Sequence, residues 1–78
     1  PNPFNPITTI NFMLSVTNDV TLSVYDIRGR EVQILLNDYK TAGYHTINWN
    51  ASSYSSGVYL IRMDSGDFTQ TQKVVLVK

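Results

Sequence analysis

Apolar and polar residues alternate along most of this chain, with a period of two rather than 3.6. Over Thr8 to Leu14, the side chains of Ile10, Phe12 and Leu14 fall on one face and those of Thr9, Asn11 and Met13 on the other. That alternation predicts a strand half-buried against a core. A second strand, Val20 to Asp26, turns Val20, Leu22 and Val24 inward and Thr21, Ser23 and Tyr25 outward. Asn18-Asp19 separates the two as a turn, and Ile27-Arg28-Gly29-Arg30 is a hairpin connection in which Gly29 supplies a positive φ.

The third strand runs over Glu31 to Leu36, with Val32, Ile34 and Leu36 on one face and Glu31, Gln33 and Leu35 on the other. Asn37 to Gly43 reads as a polar connection. The fourth strand, from Tyr44 to about Asn48, groups His45, Ile47 and Trp49, and a Ser-rich loop from Ala51 to Gly57 leads to a fifth strand over Val58 to Asp64. After the turn Ser65-Gly66-Asp67, Phe68 to Val77 forms the last and longest strand. Nowhere do apolar residues keep helical spacing over three turns. Short strands about ten residues apart predict a sandwich or small barrel, with Trp49 near the centre of its core.

The length bounds what such a fold can hold. A chain of 78 residues makes one domain and buries only about 60% of the surface its unfolded form exposes. Nearly every large apolar side chain is then needed for the core, which weighs against an enclosed substrate pocket. Six basic residues balance six acidic ones, so no basic field exists to neutralise nucleic-acid phosphates. The absence of cysteine removes disulfides, thiolate nucleophiles and Cys-based zinc sites. No apolar run approaches the roughly 20 residues of a membrane-spanning helix. The chain opens Pro1-Asn2-Pro3, without an initiating methionine, and reads as a piece of a longer protein whose export signal would lie upstream.

Candidate chemistry is sparse. The lone His45 alternates in phase with Ile47 and Trp49, which makes it a ring at the rim of the core rather than a metal ligand or general base. Asp64 and Asp67 flank a glycine turn but fall short of the six to eight oxygens of a calcium site. Asn50-Ala51-Ser52 fits the glycosylation acceptor pattern, a triplet that also arises by chance. Tyr25, Tyr44 and Tyr54 fall on outward faces or loops, where they could make a carbohydrate platform; cross-strand packing is the commoner use of such rings. No residue set suggests catalysis, a cofactor or a bound metal.

The two ends stand apart. Residues 1–7, opening Pro1-Asn2-Pro3-Phe4-Asn5-Pro6, suit an extended tether, with the sandwich over 8–78. Lys73-Val74-Val75-Leu76-Val77-Lys78 is an apolar run between lysines. Its composition favours a strand buried on both faces with Lys78 as the last solvated residue. The competing reading is an exposed edge strand that a partner, or a second copy in a dimer, extends by β-augmentation.

Taken in order, these segments resemble the type A C-terminal sorting domain of the bacterial type IX secretion system. The resemblance rests on Asn2-Pro3-Phe4-Asn5-Pro6, Thr8-Thr9-Ile10 with Phe12, Val20-Thr21-Leu22, Val24-Tyr25-Asp26, Gly29-Arg30-Glu31-Val32, Ala42-Gly43-Tyr44-His45 with Trp49, Ser56-Gly57-Val58-Tyr59 and the closing Lys73 to Lys78. It spans essentially the whole chain; Asn50 stands after Trp49 where the pattern expects Asp. The immunoglobulin-like domain of the flagellar hook-capping protein is similar in fold and in some of these motifs.

The resemblance implies an all-β, immunoglobulin-like β-sandwich of six to seven short, mainly antiparallel strands, without catalytic activity. It implies a module fused behind a larger cargo, which reaches the periplasm by a separate signal and is then secreted or displayed on the cell surface. The implied partners are the outer-membrane translocon and an associated sortase that cuts at or just before Pro1 to Pro3. The implied recognition residues are Gly57, Val58 and Tyr59 together with Lys73, Val74, Val75, Leu76, Val77 and Lys78. A carbohydrate-binding or purely structural accessory module of a secreted polysaccharide-degrading enzyme is the alternative role.

Overall fold

A computed structural model describes residues 6–78. Residues 1–5, which include most of the expected tether and the expected cleavage junction, lie outside the described residues. Six strands follow in chain order: β1 (Ile7–Leu14), β2 (Asn18–Tyr25), β3 (Glu31–Lys40), β4 (Gly43–Asn50), β5 (Gly57–Ser65) and β6 (Phe68–Leu76). β1 and β4 form a two-stranded sheet, and the other four pair in the order β3-β2-β5-β6. Every pairing is antiparallel. The two sheets face each other as the expected immunoglobulin-like sandwich.

The alternation in β1, β2 and β5 places their apolar faces as expected. Ile10, Phe12 and Leu14 meet Val20, Leu22 and Val24, joined by Tyr59, Ile61 and Met63. Trp49 is buried at the centre, and Ala51 closes the core beside it. The Pro6 carbonyl accepts a hydrogen bond from the Ala51 N–H at 3.1 Å, so the chain is already fastened to the sandwich where β1 begins. One outward position differs: Ser23 is buried, since β2 lies inside its sheet with β3 and β5 on either side.

β3 departs most from simple alternation. It continues to Lys40, through residues expected to be a polar connection, because Asn37, Asp38, Tyr39 and Lys40 pair with Thr21, Val20, Asp19 and Asn18. At ten residues it is also the longest strand, which the last strand was expected to be. Two irregularities interrupt its register. Leu36 stands opposite Leu22 but Ile34 opposite Ser23, leaving Leu35 as an extra residue; Gln33 stands opposite Val24 but Glu31 opposite Tyr25, leaving Val32 extra. Each such bulge shifts the phase of the strand by one residue. Ile34, expected inward beside Val32 and Leu36, is therefore 52% exposed, while Gln33 turns toward the core.

The inward turn of Gln33 answers a requirement of the core. A buried indole N–H must find an acceptor. The Trp49 Nε1–H donates to Gln33 Oε1 at 3.1 Å, linking the two sheets through a polar contact inside the apolar layer.

Truncating Ile61 to Ala is expected to cost about 2–5 kcal/mol, the usual range for a fully buried aliphatic side chain. Ile34→Ala should cost less than about 1 kcal/mol, since only strand preference is lost. Urea denaturation of both variants checks the bulged register, and equal losses would show that Ile34 belongs to the core.

Candidate functional site

The two segments singled out at either end of the last 22 residues prove to be neighbours. Gly57 pairs with Leu76, Val58 with Val75 and Tyr59 with Val74, all within one antiparallel ladder. β6 has β5 as its only strand partner among the described residues, so its other side is a free edge. One face of the run is open to solvent, which rules out the reading of Lys73 to Lys78 as a strand buried on both faces. Val75 and Val77 are each 63% exposed, whereas Leu76 is buried and Val74 half-buried. A strand of a two-layer sandwich has only one face to bury, and the apolar run hides that it alternates.

The remaining members of the group divide by role. Tyr59 is buried; its ring meets Trp49 edge-on at 5.4 Å and its hydroxyl donates to the Ser55 carbonyl at 2.7 Å. It packs on the core side of the corner. Val58 lies on the outer face opposite Val75, and Leu60 there stands opposite Lys73. Gly57 opens β5 with φ +156, where its backbone follows the last loop residue into the ladder.

Lys78 is more than a last solvated residue. Its ammonium donates to the carbonyls of Ser52 at 2.6 Å and Tyr54 at 2.8 Å, and its backbone N–H donates to Ser56 Oγ at 3.0 Å. The Ser-rich loop thus clasps the chain just beyond β6. The loop is itself held: Tyr54 packs against the core, with its hydroxyl 3.0 Å from both the Val32 carbonyl and Gln33 Oε1. Composition marked residues 51–57 only as a Ser-rich loop; carbonyls that a distant lysine collects leave no trace in sequence.

The tyrosines do not form a platform. Tyr54 is drawn inward, Tyr25 is half-buried on the outer face of the four-stranded sheet, and Tyr44, 88% exposed, lies on the outer face of the two-stranded sheet opposite Met13. His45 stacks on Phe12 at 5.2 Å and its Nε2 lies 2.6 Å from the Thr41 carbonyl, at the core rim where its phase placed it. Asp64 spends its carboxylate on Arg62 and on the Thr69 hydroxyl. Asn50 is exposed and accepts a hydrogen bond from the Ser52 N–H, an ordinary turn contact. A cleft of about 440 Å³ between β1 and β6 is lined by residues such as Met13, Phe68, Gln70 and Gln72, and carries no carboxylate, imidazole or amine.

At the same end of the sandwich as Gly57, the β2–β3 hairpin is built on Asp26. Asp26 Oδ1 accepts from the N–H groups of Arg28 at 2.9 Å and Arg30 at 3.0 Å, and Oδ2 from the Arg30 Nε at 2.9 Å. Gly29 completes the turn at φ +83. The Arg30 amide, then its guanidinium, and the Arg28 amide hold the Asp26 carboxyl below its ordinary pKa, against the opposing pull of burial.

The architecture is that of a two-sheet β-sandwich whose last strand ends the larger sheet as an open edge. A family model described as a secretion system C-terminal sorting domain matches residues 1–78. The chain belongs to that family, the sorting domains of type IX secretion. No curated protein and no solved structure matches it. Membership makes the domain a sorting signal for export to the cell surface or beyond.

Because the folded carboxyl is depressed, the stability it contributes is complete above the unfolded value of about 3.9 and is lost as pH falls through the lower folded value. A carbon-detected NMR titration of Asp26 should show its midpoint below 3.9, with the Arg28 and Arg30 amide shifts following it; Asp26→Asn should flatten both amide curves. Replacing Lys78 by Met should speed hydrogen exchange at the end of β6 several-fold, with a global loss on the order of 1 kcal/mol. Unchanged exchange there would show that the clasp does not hold the strand.

Proposed function

We propose that this domain directs a larger, covalently attached cargo across the outer membrane. The translocon grips the β5–β6 corner, formed by Gly57, Val58 and Tyr59 with Lys73 to Lys78. The observation that carries this reading is the register Gly57 to Tyr59 against Val74 to Leu76, which merges two sequence-distant recognition segments into one surface. The free side of β6 offers unpaired backbone groups for strand addition, and its outward Val75 and Val77 add an apolar grip. Within this site the labour is divided: Val58, Lys73, Val75 and Val77 face the translocon, while Tyr59 and Leu76 hold the corner rigid from the core side. Removal of the domain by a sortase would take place at or just before Pro1 to Pro3, before the sandwich begins.

No side-chain group is consumed in this mechanism. A rigid corner lowers the conformational entropy that recognition would otherwise cost, so the sandwich serves as a preorganised handle.

A reporter that carries an export signal at its start and this domain at its end is expected to reach the surface of a bacterium with type IX secretion. Deleting residues 73–78 should strand it in the periplasm. Val75→Glu, which alters an outward residue and leaves the core intact, should lower surface display at least several-fold. Protease accessibility on whole cells measures display, and undiminished display of both variants would remove the β6 corner from the recognition site.

A further inference from the structure

The formal charge of zero conceals a separation. At the end of the sandwich that holds the β2–β3 hairpin and the close of β6 lie Arg28, Arg30, Lys73 and Lys78, against Asp26 and Glu31: four cations to two anions. The opposite end carries Asp19, Asp38, Asp64 and Asp67 against Lys40 and Arg62, two cations to four anions. One ion pair neutralises charge at each end, Arg30 with Asp26 and Arg62 with Asp64. Arg28 and Lys73 form no ion pair with any described residue. An even composition has therefore become a molecule with a basic pole and an acidic pole.

The closing half of the β6 free edge lies at the basic pole, while its opening, Phe68 beside Asp67, lies at the acidic one. Lys73 projects on the outer face, two residues before the exposed Val75, and Lys78 sits just past the strand. Around the corner, Arg28 and Arg30 line an open groove of about 600 Å³ together with Ser53, Ser55 and Val58. The closing half of β6 thus offers backbone groups, outward valines and Lys73 together, with Arg28 in the neighbouring groove.

We infer that this pole docks an acidic, extended protein segment, which adds as a strand to β6. This deepens the sorting reading, on which the choice of the β6 edge rests. Lys73, Val75 and Val77 share the outer face, so the side chains on that one face of the incoming strand meet all three: apolar groups against Val75 and Val77 and a carboxylate against Lys73, with Arg28 reinforcing the field. The acidic pole, at the far end, would repel the same segment and so orient its approach. A protein strand is favoured over an anionic membrane because the edge offers backbone hydrogen bonds that lipid headgroups do not use as a ladder.

The test uses the 78-residue chain and two synthetic ten-residue probes with Thr at every second position, whose five other residues, all on one strand face, are Val, Val, Glu, Glu, Glu in one and Val, Val, Lys, Lys, Lys in the other. NMR shifts should move at the amides of Lys73 to Val77 and Val58 with the acidic probe, which should bind at least tenfold more tightly than the basic one. Raising NaCl from 0.1 to 1 M shrinks the screening length from about 10 to 3 Å and should weaken binding about tenfold. Arg28→Glu with Lys73→Glu should abolish the preference, whereas Asp38→Lys with Asp67→Lys should preserve it. Equal binding of the two probes, or shifts away from β6, would overturn the proposal. So would stronger binding to phosphatidylglycerol vesicles than to the acidic probe. Probe selectivity in a domain that fails to export its reporter would instead refute the sorting reading and leave this one standing.

Discussion

A buried indole nitrogen needs an acceptor, and much of this small domain is arranged around that need. Trp49 fills the centre of a core too thin to tolerate a void, and its Nε1–H is satisfied by Gln33 from the opposite sheet. For Gln33 to reach inward, β3 must lose its phase, and the bulges at Val32 and Leu35 provide that shift. The ring in turn seats Tyr54 and Tyr59, at 5.7 and 5.4 Å between centroids. Those two tyrosines shape the loop whose carbonyls receive Lys78. A chain of contacts thus runs from the middle of the core to the β5–β6 corner proposed for recognition.

This explains how a sandwich without disulfides can present a stable handle. Its ordering entropy is offset by a single apolar layer, so a rigid corner cannot be made by adding mass. Rigidity comes from coupling the corner to the residue with the largest buried side chain. The outward residues of the same corner carry little of that burden, which leaves Val75, Val77 and Lys73 free to serve recognition. Structural and functional demands fall on alternate residues of one strand, a separation that period-two geometry makes available.

Much of the architecture was legible from alternation alone. The inward sets of β1 and β2, the positive φ at Gly29 and the rim position of His45 all follow from local pattern and turn chemistry. The ordered motifs also pointed to the sorting-domain family, which the full-length match establishes. The faces of β3 were not legible, because a bulge has no signature when apolar residues flank it on both sides, as at Ile34-Leu35-Leu36. The extension of β3 to Lys40 was hidden for a related reason: polar residues such as Asn37 and Asp38 join the ladder through their backbones, opposite Thr21 and Val20.

The site divides in the same way. The family resemblance pointed to Gly57 to Tyr59 and Lys73 to Lys78, but not to their lying side by side. By itself, the amino-acid order determined which faces of β1 and β2 seek the core, the turn at Gly29, and that no cysteine or basic excess is available for other chemistry. Only the tertiary structure decided that β6 is an edge, that Lys78 is clasped by a loop, and that balanced charges gather into two poles. The physical reason is that alternation and turns are properties of neighbours along the chain, whereas an edge or a pole arises from which strands come to lie beside one another.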